Sequence, residues 1–430
     1  MNFTQSVQFH EDAKKYGSIL GLDTIRRLMH ELNDVHAELN VVQIAGTNGK
    51  GSVSCFLASA LKEAGYIVGQ FNSPAVFDLR EVCQINGAWI GESEYASCME
   101  ETALACRNMT QKGFSHPTVF EIETALAFLW FFRRKCDIVL LETGMGGALD
   151  ATNLMEQPLC SVFTSIGMDH TDYLGDSMEA IAREKAGIIK PGCPVVSVKQ
   201  KPKAERILRQ RAEEKKAAYV LAREITESKL SDGRLWFWHP KVGEVTLSMT
   251  GSYQTENASL AIETLDVLKK AGYSVGKEQI LKGMKEAKWS GRFERLSKKP
   301  LFYIDGAHNT EAARELKTSL FQNFPNMRRI GIMGVMADKP FEEMTGALQS
   351  AFDLIYTVTP NHARALAAQK LADACGRQNI RAVVKESVFE AVKAAYEEAE
   401  KGSEPAMVLA FGSLYYLKEV KDALYEITKC

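Results

Sequence analysis

No C-x-x-C pair occurs in the chain, and its nine cysteines are odd in number and scattered from Cys55 to Cys430. That excludes a disulfide framework and a finger-type zinc site, and leaves reduced, mostly buried thiols as the expectation. A run of about 18 apolar residues is also missing, so no membrane-spanning helix is expected. The opening stretch MNFTQSVQFHEDAKKYG lacks the basic and apolar blocks of a secretory signal, which points to a cytoplasmic protein. Charge of neither sign dominates: 52 Lys and Arg face 54 Asp and Glu, a net charge of −2. Bulk attraction to nucleic acid or to a membrane surface is therefore not expected, whereas a local basic pocket for an anion remains open. Short repeats and low-complexity segments are absent too. What is present is an ordinary globular composition, 46% hydrophobic and 25% charged, which is enough to build a core. At 430 residues the chain exceeds what one core usually organises, so two domains of roughly 150 to 280 residues are expected.

Apolar runs alternate with helical periods along most of the chain. NVVQIA (40–45) reads as a buried strand, followed by a glycine-rich loop and the helical pattern SVSCFLASALKEAG. The pattern continues with a helix at 118–135, strands CDIVLLET (136–143) and CSVFTSI (160–166), a helix near 176–189 and a strand PVVSV (194–198). Such alternation implies a mostly parallel sheet covered by helices. Between 217 and 250, AAYVLA, RLWFWHP and EVTLSM read as antiparallel strands, before helices at 254–271 and 277–287. The polar stretch KWSGRFERLSKKP (288–300) reads as a linker. A second alternating series of about five strands, each followed by a helix, begins at 301. The boundaries expected are thus 1–289 for the first domain, 290–299 for the linker and 300–430 for the second.

The loop IAGTNGKGSVS (44–54) resembles a phosphate-binding loop with altered spacing, since a strict G-x-x-x-x-G-K-[ST] pattern would place a glycine at Ile44 and a hydroxyl at Gly51. Gly46, Gly49 and Gly51 permit a nest of backbone N–H groups at a helix N-terminus, Lys50 supplies a cation and Ser52 a hydroxyl. A tight turn with an exposed lysine is the bland alternative. LLETGMGGALDATN (140–153) ends a strand on Glu142, where a carboxylate can hold magnesium beside a phosphate; glycines alone would be turn residues. TSIGMDHTDYLG (164–175) carries Asp169, His170 and Asp172 at another strand end. Three polar strand ends on one sheet edge favour a metal–phosphate site. Lys185, in AREKAGIIKPG, taken alone reads as a solvated lysine. In YIDGAHNTEAA (303–313), Asp305 and His308 lie on a strand-to-helix turn, where Asp305 is equally a turn former and Asn309 a helix cap.

Ten segments in one order carry a resemblance over nearly the whole chain: GTNGKGS (46–52), SPAVFDLRE with NG (73–87), TVFEIETALAF (118–128), ETGMGGALDATN (142–153), IGMDHTDYLGDSMEAIAREKAGIIKPG (166–192), YQTENASLA (253–261), SGRFE (290–294), DGAHN (305–309), DKP (338–340) and FGSLY (411–415). Together they resemble the folylpolyglutamate synthase and dihydrofolate synthase group of the Mur-ligase superfamily. The resemblance implies an α/β fold: an N-terminal P-loop ATPase domain of Mur-ligase type and a smaller C-terminal Rossmann-like domain, with the active site in the cleft between them. The reaction it implies is ATP-dependent amide formation, in which a carboxylate takes the γ-phosphoryl group and glutamate attacks the acyl phosphate.

Position by position, the resemblance makes Gly46, Thr47, Asn48, Gly49, Lys50, Gly51 and Ser52 the triphosphate loop, with Lys50 as the neutralising lysine. It makes Asn257 an adenine neighbour, Arg292 a phosphate-binding arginine and Asp305 a nucleotide contact. Ser73, Glu142 and His170 are implied as ligands of magnesium, two ions in all, and a monovalent cation is implied without a location. Lys185 matches a lysine carboxylated on its amine. His308 and Ser413 fall where the reacting end and glutamate are handled, and Arg80 and Asp150 in loops bordering the folate. The implied partners are small molecules, a reduced folate or dihydropteroate and L-glutamate, acted on by a monomer.

The chain departs from many relatives where it reads Ala75 after Ser-Pro, Val82 after Arg80 and Glu81, and Ala148 after Gly-Gly. These departures leave open which folate is used. Two other readings stand beside the leading one: a muramyl-peptide ligase, for which the roughly 40 residues before the loop are short, and a nucleotide switch without ligase activity.

Overall fold

The computed structural model describes residues 1–401 and 404–429. Cys430, counted above among the thiols, lies outside the described residues; the other eight cysteines are all buried and none is in a disulfide. The chain forms two compact units, one made of Met1–Thr226, Trp238–Val245 and Glu256–Ala287, the other of Glu227–Phe237, Thr246–Thr255 and Lys288–Cys430.

The first unit is built on an eight-stranded sheet. Its strands are β1 (Val41–Ala45), β2 (Val68–Phe71), β3 (Cys83–Ile85), β4 (Ala88–Trp89), β5 (Ile138–Glu142), β6 (Cys160–Phe163), β7 (Val195–Ser197) and β8 (Tyr219–Leu221), in the order β4-β3-β2-β5-β1-β6-β7-β8. β3 pairs antiparallel with both β2 and β4; all other neighbouring pairs are parallel. Every residue of β1, β5 and β6 is buried, which is why these strands read as unbroken apolar runs. The helix Lys50–Glu63 after β1 buries ten of its residues. The helix Val119–Arg133 starts on a capping box, Thr118 with Glu121, and is apolar nearly all round because it lies within the core. AAYVLA does not form an antiparallel strand: its β8 pairs parallel with β7, Val195 opposite Tyr219. The helix Pro202–Glu214 between β7 and β8 makes the connection a crossover, and a crossover returns the chain parallel.

A three-stranded antiparallel sheet follows in the chain, β9 (Ser228–Ser231), β10 (Arg234–His239) and β11 (Gly243–Leu247), ordered β11-β10-β9. RLWFWHP and EVTLSM supply β10 and β11.

The second unit carries a six-stranded sheet: β12 (Glu294–Lys298), β13 (Leu301–Ile304), β14 (Arg328–Met333), β15 (Leu354–Thr357), β16 (Ala382–Val384) and β17 (Ala406–Phe411), ordered β12-β13-β17-β14-β15-β16. β13 to β17 are parallel, with helices Thr310–Asn323, Phe341–Ala347, Ala368–Arg377, Val388–Lys401 and Leu417–Lys429 in the connections and at the end. β12 was expected to be linker. It is instead an antiparallel edge strand on β13, and its polar sequence suits an edge that faces water. Among the described residues no helix is long and apolar enough to cross a membrane.

Candidate active site

In the first unit β2, β5, β1 and β6 are consecutive in the sheet. The segments leaving their carboxyl ends are therefore neighbours on one edge: Asn72–Ser73, Glu142 with its glycine loop, the GTNGKGS loop, and Thr164–His170. Open parallel sheets bind ligands at this edge.

The GTNGKGS loop is fixed from both sides. Thr47 N–H donates to Ser165 O at 2.7 Å, and the Thr47 hydroxyl donates to Gly167 O at 3.1 Å while accepting from Gly167 N–H at 2.9 Å. Gly49 caps the helix Lys50–Glu63 at φ +92°, offers no side-chain cap, and lies where a Cβ would run into the Asn257 side-chain amide. Only glycine satisfies both demands. The first helical turn thus keeps backbone donors for an anion, and the Asn257 side chain lies against Gly49.

Two lysines share one carbonyl. Lys50 Nζ donates to Gly46 O and Thr47 O, each at 3.2 Å, and Lys185 Nζ donates to the same Gly46 O at 2.9 Å. Lys50 also lies 3.7 Å from Glu142. Lys185 is 5% exposed, far from the solvated lysine its segment alone suggested. Burial, reinforced by the Lys50 charge, pulls its amine down from 10.5 to about 7.

Glu142 ends β5, is buried, and accepts from Asn72 Nδ2 at 2.8 Å. Asn72 in turn accepts from Ser54 at 3.4 Å, and Ser54 from Gln70 at 3.2 Å. The Asn72 link was not read from the sequence; its only signal was its place at a strand end beside Ser73. Ser73 follows β2, half-buried, and precedes Pro74 through a cis peptide bond. His170 is exposed at φ +53° before the short helix Thr171–Leu174.

The residues that the resemblance implies for magnesium, Ser73, Glu142 and His170, bring a hydroxyl, a carboxylate and an imidazole. Among the described residues no group of three or more His, Cys, Asp or Glu side chains could hold a metal ion by itself. That fits magnesium, which takes one or two protein ligands and completes its octahedron with water and substrate phosphates. A zinc or calcium cage would need more protein ligands than this edge offers.

Two expected substrate residues are engaged locally. Arg80 forks onto Asp78, Nε to Oδ1 at 2.9 Å and Nη2 to Oδ2 at 2.8 Å, and its guanidinium lies 5.4 Å from the Phe3 ring centroid. Asp150 is 2% exposed and accepts from Met145 N–H at 2.8 Å, Thr152 N–H at 3.0 Å and the Thr152 hydroxyl at 2.6 Å. It braces the glycine loop from inside, and burial raises its carboxyl despite these donors.

In the second unit β13 and β17 are adjacent, so DGAHN after β13 and FGSLY after β17 share an edge. Asp305 is buried and accepts from Tyr253 OH at 2.7 Å, Phe293 N–H at 2.8 Å and Ala307 N–H at 2.8 Å. Burial raises its carboxyl while the Arg292 charge opposes that rise. A Cβ on Gly306 would sit 2.6 Å from Arg292 Nη1, which places the guanidinium directly over the DGAHN backbone. His308 Nδ1 lies 2.7 Å from Gly306 O, an arrangement that puts the ring proton on Nδ1. Asn309 caps the helix Thr310–Asn323 by accepting from Ala312 N–H at 2.9 Å, so the cap reading holds for it. Ser413 is buried and accepts from Tyr415 N–H at 3.3 Å. The Tyr253 contact to Asp305 was also missed; the YQTENASLA motif contained the residue but nothing that pointed to its partner.

These features define a Mur ligase: residues 44–265 match the Mur ligase middle domain, and residues 291–414 the Mur ligase, glutamate ligase domain. The dihydrofolate synthase/folylpolyglutamate synthase of Bacillus subtilis is 34% identical over 95% of this chain and 96% of that one. The folylpolyglutamate synthase of Lacticaseibacillus casei is 30% identical over 85% of this chain and 87% of its own. Among solved structures, E. coli FolC in complex with DHPP and ADP superposes with a TM-score of 0.85 at 28% identity, over 100% of this chain and 98% of that one. Mycobacterium tuberculosis folylpolyglutamate synthase complexed with ADP and AMPPCP gives 0.88 at 26%, over 99% of each. The chain belongs to the folylpolyglutamate synthase/dihydrofolate synthase family of the Mur ligases.

Proposed function

We propose that the chain adds L-glutamate to a folate-type carboxylate through an acyl phosphate, with dihydropteroate, a tetrahydrofolate or both as acceptor. It is an ATP-dependent ligase, and its homologues are dihydrofolate and folylpolyglutamate synthases. The observation that carries the mechanism is the Gly46 carbonyl shared by Lys50 and Lys185, which puts two lysines on one glycine-rich phosphate loop.

Phosphoryl transfer is a task of positioning and charge neutralisation. The loop N–H groups and Lys50 hold the β- and γ-phosphates of ATP, and Asn257 borders the nucleotide. Ser73, Glu142 and His170 would hold magnesium, which would supply further charge neutralisation there. Asn72 fixes the Glu142 carboxylate for that task. The Lys185 amine, largely neutral near pH 8, is nucleophilic enough to form an N–C bond to carbon dioxide and, by releasing one N–H proton to solvent, become a carbamate anion. In the second unit, Arg292 offers a fixed cation to phosphate. With its proton on Nδ1, the His308 ring presents Nε2 as the acceptor nitrogen, suited to take a proton from the glutamate ammonium before it attacks the acyl carbon. Ser413 lies on the same edge, on the glutamate side. Phosphate then leaves and the amide remains.

The test is phosphate release from ATP with glutamate plus dihydropteroate, with glutamate plus tetrahydrofolate, and with glutamate alone. Release that depends on an acceptor, with a product heavier by one glutamate, is expected. Release indifferent to any acceptor would sink the ligase reading, and the acceptor preferred settles the branch.

A further inference from the structure

The segment that carries Arg292 has an unusual backbone. Gly291 and Phe293, on either side of it, both take positive φ, +73° and +48°. Glycine does this freely, but a bulky aromatic residue there is an outlier that persists only when its surroundings impose it.

The surroundings are specific. Phe293 N–H donates to Asp305 Oδ2 at 2.8 Å, and the same oxygen accepts from the Tyr253 hydroxyl at 2.7 Å. Gly291 N–H donates to Glu294 Oε2 at 2.8 Å, and Gly291 O accepts from Gly306 N–H at 2.8 Å. The Phe293 ring is 1% exposed, 5.1 Å from Tyr303 and 6.2 Å from Phe324 between ring centroids. Arg292 is thus bracketed by two pinned residues, with its guanidinium over Gly306. Tyr253 comes from a different stretch of chain, itself tied down where Ser252 N–H and hydroxyl each meet the Ser319 hydroxyl at 2.9 Å.

We propose that Tyr253 is a positioning residue for Arg292: its hydroxyl holds the Asp305 carboxylate in the orientation that accepts Phe293 N–H, and so keeps the left-handed turn that aims Arg292. The inference rests on the proposed role of Arg292 in phosphate binding. Asp305, on this view, acts as the clamp between Tyr253 and the 291–293 turn, so its side chain serves the nucleotide indirectly. A phenylalanine at 253 keeps the ring and removes only the donor. One of the three donors to Asp305 is lost, and the carboxylate is free to rotate away from Phe293.

The experiment is a double-mutant cycle between Tyr253→Phe and Arg292→Ala, read as ATP affinity by calorimetry and as kcat/KM for ATP and for glutamate. Coupled pairs of this kind typically interact by a factor of about ten. Tyr253→Phe alone is expected to weaken ATP about tenfold and leave the KM for glutamate unchanged. In the Arg292→Ala background the same substitution is expected to change ATP affinity less than twofold. An equal loss in both backgrounds would show that Tyr253 only supports the fold, and no loss in the unsubstituted background would show that the hydroxyl does not matter; either overturns the proposal. Should Tyr253→Phe not fold, Asp305→Asn takes its place in the cycle with the same two outcomes. Because ATP binding is read directly, the cycle decides even if the acceptor proves not to be a folate, an outcome the phosphate-release assay reports separately.

Discussion

Replacing Lys185 by methionine tests the strongly lowered pKa of the amine at the phosphate loop. Burial brings the amine from 10.5 to about 7. At pH 8 an ordinary lysine is ~0.3% neutral, whereas this one is ~90% neutral, a gain of ~300-fold in the nucleophilic form. The same shift makes a stability prediction. Between pH 7 and 10.5 the unfolded chain binds a proton that the folded lysine does not, so stability rises with pH by up to ~1.4 kcal/mol per pH unit. Below pH 7 the burden of a buried ammonium is fully present. In buffer free of carbon dioxide, denaturant unfolding of the natural chain should therefore gain ~3 kcal/mol relative to Lys185→Met between pH 7 and pH 9.5. A carbon-13 NMR spectrum in labelled bicarbonate at pH 8 should show one carbamate resonance, absent from Lys185→Met, and the variant should lose most of its ligase activity. If the two proteins gain stability in parallel with pH, the amine titrates normally. The carbamate would then lack its nucleophile, and the reasoning would fail.

Gly49→Ala is expected to cost ~1–3 kcal/mol of stability, since alanine would have to hold φ +92° and displace the Asn257 amide, and to weaken nucleotide binding. Thermal unfolding and ATP calorimetry check both, and a neutral result in both would contradict the tight packing. Asp150→Asn replaces an acceptor of three hydrogen bonds with a group that must turn its NH2 towards a donor, an expected loss of ~1–3 kcal/mol. If unfolding shows no loss but the KM for the folate acceptor rises sharply, Asp150 contacts substrate and does not merely brace its loop.

Much of this architecture is legible in the residues because the central strands are buried on both faces. VVQIA, IVLLE and CSVF read as strands because no polar alternation interrupts them, and each glycine loop that follows marks a strand end. Strand direction is less visible. AAYVLA carries no sign of whether it pairs parallel or antiparallel; the crossover helix decides that. β9, with the sequence SKLS, has too little apolar alternation to be noticed, and β12 looked like a linker because an edge strand tolerates charge on most of its residues. At the site, residues within motifs were identified while their partners were not. Asn72 meets Glu142 70 positions away and Tyr253 meets Asp305 52 positions away, and no local pattern encodes a contact at that separation. Arg80 and Asp150 show another kind of gap: the family resemblance placed them in loops bordering the folate, and nothing in the local pattern announced the partners they find within five positions.

The grip on Lys50 acts as a threshold. Two neutral carbonyls and a carboxylate 3.7 Å away already hold the ammonium. An anion that is to recruit it has to offer more than these three together. Chloride or a monoanionic phosphate competes poorly on those terms, whereas a polyphosphate presents several charged oxygens at once along the loop. The loop thus selects for charge density before any contact to the base is made, in an environment where weakly charged anions are plentiful.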